Sequence, residues 1–202
     1  MLFFTADPHF GHTNIIRYCA RPFDDCAAMD AALSANWNAR VGPEDDIYIL
    51  GDFSLAHLSQ VRGYLQGLNG HKHLIVGNHD KFLNEAPGRK VPELCEICDY
   101  KELHSPSGYT YILMHYPLMF WNGSIDPQVI HLYGHIHNNT YCNEMTGRLR
   151  NALNVGADLH HFAPLSESEI LAQVAAHNAA LSSSINGDAP KDGPLKTHGT
   201  TA

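Results

Sequence analysis

The sequence predicts an α/β protein with mixed sheets. Three observations carry that prediction. Continuous apolar runs of strand length recur in the first half, amphipathic segments of helical spacing separate them, and after position 95 the texture changes to alternating β patterns.

The first run, "LFFTA" over 2–6, reads as a short buried strand ending at Asp7. Residues 25–40 carry Ala27, Met29, Ala31, Leu33 and Trp37 at roughly helical spacing behind Asp25, an N-capping residue. "DDIYILGD" (45–52) is a second strand ending in an aspartate, 57–68 reads as a helix, and "KHLIVGNHD" (72–80) is a third strand running into polar residues. Beyond 95, two alternating runs flank the turn "SPSG", which predicts an antiparallel hairpin. "VIHLYGHIH" (129–137) and "RNALNVG" (150–156) are the last two strands. Ser166 and Glu169 form a capping box ahead of "ILAQVAAHNAAL", which predicts a C-terminal helix. Residues 182–202 are Ser, Gly, Pro, Lys and Thr with few apolar side chains, so they read as a disordered tail behind one domain, 1–181.

Composition narrows the function. No apolar run reaches the roughly 20 residues of a membrane span, and no basic leader precedes the first strand, so a cytoplasmic protein is expected. A formal net charge of -8 argues against a broad phosphate-gripping surface, so no extended duplex nucleic acid is expected as partner. Five cysteines without a disulfide spacing fit reduced, buried thiols, and the lone Cys95-x-x-Cys98 lacks the second pair a zinc ribbon needs.

Several predicted strands end alike, in an apolar run followed by an abrupt Asp, His or Asn. The segments are "ADPH" (Asp7, His9), "LGD" (Asp52), "VGNHD" (Asn78, His79, Asp80), "LMHY" (His115) and "YGHIH" (His135, His137). Read as extended chain, His135 and His137 project to the same side and can converge on one ion. Sites gather where strand ends meet loops on a rigid sheet. The donors are carboxylate, amide and imidazole without thiolate, a set that suits Mn, Fe or Zn better than Cu(I), Mg or Ca. So many donors exceed the needs of one ion, whereas two ions sharing a carboxylate would use them economically.

The ordered set D-x-H, G-D, G-N-H-D, H and G-H-x-H, running from position 7 to 137, resembles the calcineurin-like metallophosphoesterases. "HFGHTNIIRYCARPF" and "HLYGHIHN" are similar to a subgroup of small bacterial and phage phosphoesterases within them. The resemblance implies a four-layer sandwich of two mixed β-sheets flanked by helices. It also implies two divalent or trivalent ions, Mn or Fe first, with Zn and Ni as further options. Asp7, His9 and His137 would hold the first and Asn78, His115 and His135 the second, with Asp52 bridging and His79 as general acid. Asp80 would orient His79 or cap the turn that follows. The implied reaction is hydrolysis of a small phosphodiester or nucleotide by a hydroxide held between the ions. About one net positive charge would remain to receive the phosphate despite the acidic chain. A phosphomonoesterase and a non-catalytic metal-binding scaffold are the alternatives. Phosphoprotein phosphatases of that family carry an arginine soon after G-D, where this chain reads "GDFSLAHL".

Trp121 reads as a core aromatic before a stacking platform, and His131 as within reach of residues behind the site. His12, Asn14 and Arg17 are near Asp7 in sequence but are left outside the predicted site.

Overall fold

In a computed structural model, which describes residues 1–187, the chain forms an α/β architecture of two mixed sheets and helices. The first half is β1 (Leu2–Thr5), α1 (Thr13–Tyr18), α2 (Cys26–Arg40), β2 (Asp46–Leu50), α3 (Leu58–Gln66), β3 (His71–Ile75) and β4 (Glu96–Cys98). The second half is β5 (Lys101–His104), β6 (Thr110–Leu113), β7 (Val129–Tyr133), α4 (Thr140–Thr146), β8 (Ala152–Asn154), β9 (Leu165–Ser166) and α5 (Glu167–Gly187). One sheet has the order β4-β3-β2-β1-β9, parallel except for β9; the other is β5-β6-β7-β8, parallel except for the β5/β6 hairpin.

The central strands β1 and β2 are apolar on both faces because both are buried, as parallel sheets require. Phe3, Ile47, Ile49 and Leu74 pack with Met29, Leu33 and Trp37 of α2 and with Val61 and Leu65 of α3. Their neighbours Phe4, Tyr48, Leu50 and Ile75 point the other way, onto Tyr111, Leu113, Ile130 and Leu132 of the second sheet and Ile170 and Val174 of α5. Each fully buried large side chain contributes about 1.5–3 kcal/mol. On the far face of the second sheet, Trp121 lies over His131 with ring centroids 5.0 Å apart, so the segment between β6 and β7 covers that face.

Asp25 caps α2 by accepting from Ala28 N at 2.8 Å, and Ser166 and Glu169 make the expected capping box at α5. Three readings need correction. Residues 96–98 do not belong to the hairpin: β4 pairs in parallel with β3 of the other sheet. The helix α5 runs to Gly187, into the stretch read as tail, and the rest of that reading, 188–202, lies outside the described residues. Cys95 is exposed and Cys98 half-buried instead of both being buried. Among the described residues no helix is long and apolar enough to cross a membrane.

Candidate metal centre

The ends of the strands of both sheets meet at one point. Just past β1, Ala6 N donates to Val155 O at 3.1 Å and Ala157 N to Ala6 O at 2.9 Å, tying the first sheet to the end of β8. Asp7 N and His9 N donate to Gly51 O and Asp52 O, so the loops after β1 and β2 run side by side. Gly134 N donates to His115 O at 2.9 Å, which does the same for β6 and β7.

These loops approach too closely for ordinary residues. A Cβ on Gly77 would stand 2.3 Å from Asp52 Oδ1, and one on Gly134 would stand 2.4 Å from Asp7 Oδ2. The glycines of G-N-H-D and G-H-x-H are therefore there to admit a neighbouring carboxylate. Asp7, His9, Asp52, His135 and His137 all have left-handed backbone, with φ of 55°, 56°, 53°, 70° and 48°. This overturns the extended reading of "GHIH". The strand β7 stops at Tyr133, and the two imidazoles do not share one ion-sized space.

His137 joins Asp7 and His9, while His135 joins Asp52 and His115; within each set the donor atoms lie within 4.8 Å of one another. Asn78 completes the second set, its Oδ1 3.2 Å from His115 Nε2. Asp52 Oδ2 stands between the sets, 3.6 Å from His9 Nε2, 3.5 Å from His115 Nε2 and 3.9 Å from His79 Nε2. These separations are too long for good hydrogen bonds. Those to His9 and His115 suit atoms that each contact a shared ion at about 2.0–2.2 Å. Two buried atoms in the cluster, Asp7 Oδ1 and His9 Nε2, have no hydrogen-bond partner. All seven predicted ligands are thus brought together, and the donor set fits metal ions.

Electrostatics supports the same fit. The carboxylates of Asp7, Asp52, Asp80 and Asp158 are all buried here, with the guanidinium of Arg21 among them. Burial drives the Asp7 carboxyl up to about 6 and that of Asp80 up to about 7. For Asp52 burial pulls upward too, but His115 and the His79 backbone N–H hold it down to about 2. Burial keeps the His9 ring well below its ordinary range. Carboxyls pushed up by burial in this way are favoured in their charged form by added positive charge.

Two residues essential to this geometry have no motif to announce them. Arg21 is buried; it donates to Asp7 O and Pro8 O, both at 2.8 Å, and through Nε and Nη2 to the two oxygens of Asp158, at 2.8 and 3.0 Å. Asp158, in the 3-10 turn Ala157–Leu159, also accepts from His137 Nδ1 at 2.7 Å. That bond leaves the lone pair of a neutral His137 on Nε2. Burial would lower the His137 pKa, yet Asp158 and Cys19 raise it to about 10. Cys19, His137 and Asp158 also satisfy the distance limit for an ion, but both oxygens of Asp158 are already committed to Arg21 and His137. His115 is oriented similarly: its Nδ1 donates to Leu50 O at 2.8 Å, freeing Nε2.

Asp80 neither orients His79 nor caps the turn Lys81–Asn84. Its carboxylate accepts from Gly77 N, Asp52 N and Phe53 N at 2.8–3.0 Å, so it fixes the backbone that presents Asp52. His79 itself donates its backbone N–H to Asp52 Oδ1 at 2.7 Å, and its ring is partly exposed in the cleft. Tyr116, not singled out in the sequence, packs on His135 at 4.6 Å and lies 3.4 Å from Asn78 Oδ1. His12 contacts His9 through Nδ1 at 3.2 Å, closer to the site than its omission implied. His131 lies outside the site, with Nδ1 donating to Ile112 O and Nε2 accepting from Leu118 N.

No family model matches the chain. It is 34% identical over 169 residues to "Uncharacterized protein MJ1445" of Methanocaldococcus jannaschii, covering 82% of this chain and 86% of that protein. It is 31% identical over 193 residues to "Gene 66 protein" of Mycobacterium phage D29, covering 82% of this chain and 92% of the phage protein. The chain belongs to the family of these proteins. A crystal structure of a protein of unknown function from Aquifex aeolicus, AQ665, superposes with a TM-score of 0.65 at 28% identity, covering 84% of this chain and 97% of that one.

Proposed function

We propose that this chain is a two-metal phosphoester hydrolase of the calcineurin-like metallophosphoesterase type, with the sandwich fold that name implies, acting on a small phosphodiester. The observation that carries the reading is the position of Asp52 Oδ2, facing three imidazole Nε2 atoms at 3.5–3.9 Å between two sets of metal donors.

Asp7, His9 and His137 would hold one ion and Asn78, His115 and His135 the other, with Asp52 shared. When bound, the ions supply an activated water and positive charge for the phosphate oxygens. A set of carboxylate, amide and imidazole donors favours Mn or Fe, with Zn or Ni able to substitute. His79 lies on the open side of Asp52, so its ring can meet the ester oxygen that leaves and hand it a proton. Arg21 and Asp158 keep the ligands aimed, and Asp80 keeps Asp52 in place.

The test is hydrolysis of bis-p-nitrophenyl phosphate beside p-nitrophenyl phosphate by metal-stripped protein with Mn, Fe, Ni, Zn or Mg restored. Metal-dependent turnover faster on the diester supports the reading, and faster turnover of the monoester would make the protein a phosphatase. Two bound ions without turnover of either ester would make it a metal-binding scaffold.

A further inference from the structure

The cluster of candidate metal donors lines a cleft of about 580 Å³, a size typical of sites for one small molecule. Apolar side chains line it beside those donors. Ile15 and Tyr18 come from α1, Leu55 from the loop after β2, and Ile136 from between the two ligand histidines. Tyr18 is 65% exposed and Leu55 42%, so two large apolar side chains stand in water beside the cluster. Large apolar groups left at a cleft of this kind mark where a ligand sits.

Two amides of the lining already have partners within the protein. The amide of Asn138 donates to Cys19 O at 2.7 Å, and that of Asn139 caps α4 by accepting from Cys142 N at 3.0 Å. Among the described residues no lysine or arginine lines the cleft; Arg17 lies over the Tyr18 ring at 5.3 Å and is not part of the lining. A second phosphate on a substrate would therefore find no lysine or arginine in the cleft lining, in a chain of net charge -8. Sugar hydroxyls pressed on Ile15, Leu55 and Ile136 would lose water without gaining hydrogen bonds from those side chains.

We infer that the substrate is a phosphoester of an apolar alcohol, aryl or alkyl, carrying a single phosphate. The phosphate meets the metal cluster, and the organic group lies against Ile15, Tyr18, Leu55 and Ile136. The inference rests on the phosphoesterase reading and narrows its substrate.

Calorimetric titration of manganese-loaded protein with inorganic phosphate, methylphosphonate, phenylphosphonate, ribose 5-phosphate and adenosine monophosphate tests it without turnover. Phenylphosphonate should bind about tenfold or more tighter than methylphosphonate, because only its ring buries apolar surface against those side chains. Ribose 5-phosphate should gain nothing over methylphosphonate. In Tyr18→Ala and Leu55→Asp, both at exposed positions, the phenyl preference should fall to within about threefold while methylphosphonate affinity and metal content stay as in the wild type. Equal binding of phenyl- and methylphosphonate, tighter binding of ribose 5-phosphate or adenosine monophosphate than of phenylphosphonate, or a preference unchanged in both variants would overturn the inference. Failure of inorganic phosphate and methylphosphonate to bind at all would instead count against the phosphoesterase reading itself.

Discussion

Asp158 accepts from Nδ1 of His137 at 2.7 Å while Arg21 holds both of its oxygens. An imidazole ligand oriented by a carboxylate typically loses about 10–100-fold in metal affinity when that partner is removed. Asp158→Asn should therefore weaken one of two bound ions by about that factor and leave the other unchanged, because His115 is oriented independently by Leu50 O. Titration of metal-free protein with Co(II), followed by absorption, resolves the two steps; two unaltered steps would remove Asp158 from this role.

Chelation should lower thermal stability. An ion present at about a hundred times its dissociation constant stabilises the fold by about 2.7 kcal/mol. The melting temperature after dialysis against a chelator should fall by several degrees and return on addition of Mn. A melting temperature indifferent to both treatments would mean that the buried carboxylates are balanced in some other way.

His79→Ala should keep two ions and lose about 10²–10⁴-fold in kcat on the diester, the usual range for a general acid. Asp52→Asn should lose both metal content and turnover, since its Oδ2 faces both donor sets. A His79→Ala variant as active as the wild type would transfer the proton-donor role elsewhere.

Gly134→Ala would place a methyl 2.4 Å from Asp7 Oδ2 and 2.5 Å from Ala6 Cβ. Overpacking of this sort costs roughly 1–3 kcal/mol. Denaturant unfolding of the metal-free variant should register that loss, together with weakened metal binding. Wild-type values for both would show that the loops can move apart freely.

His131 is buried and neutral, with burial lowering its pKa to about 4 from an ordinary 6.5. As pH falls, the unfolded chain takes up this proton before the folded one does. The contribution is therefore complete above about 6.5 and is lost as pH drops through about 4, amounting to roughly 3 kcal/mol. The stability gap between wild type and His131→Gln should accordingly shrink between pH 7 and pH 4.5. A gap that is constant with pH would contradict a buried neutral ring.

What could be read in the sequence was whatever repeats locally. The apolar runs of β1, β2, β3 and β7 and the polar residues after them were visible because burial on both faces and an abrupt strand end leave marks within ten residues. The pairing of β4 with β3 was not, since a three-residue strand has no period and its partner lies about twenty positions away. Arg21 and Asp158 escaped for a related reason: they meet across 137 positions and carry no spacing. "CARPF", an arginine set among small and apolar residues in a chain poor in cations, was the one available hint. The convergence of His135 and His137 on an extended strand failed because alternation assumes a backbone that left-handed residues abandon.

Those left-handed positions bear on how this chain can change over generations. Glycine or asparagine would sit more easily at such φ values than histidine or aspartate, whose strain there is of the order of 1 kcal/mol each. A chain shaped by stability alone would drift toward those substitutions at Asp7, His9, Asp52, His135 and His137. Left-handed backbone also occurs at Ala20, Arg89 and Phe162 elsewhere in the chain; on the two-metal proposal, the strain accepted at these five donors would be kept for the ions they hold.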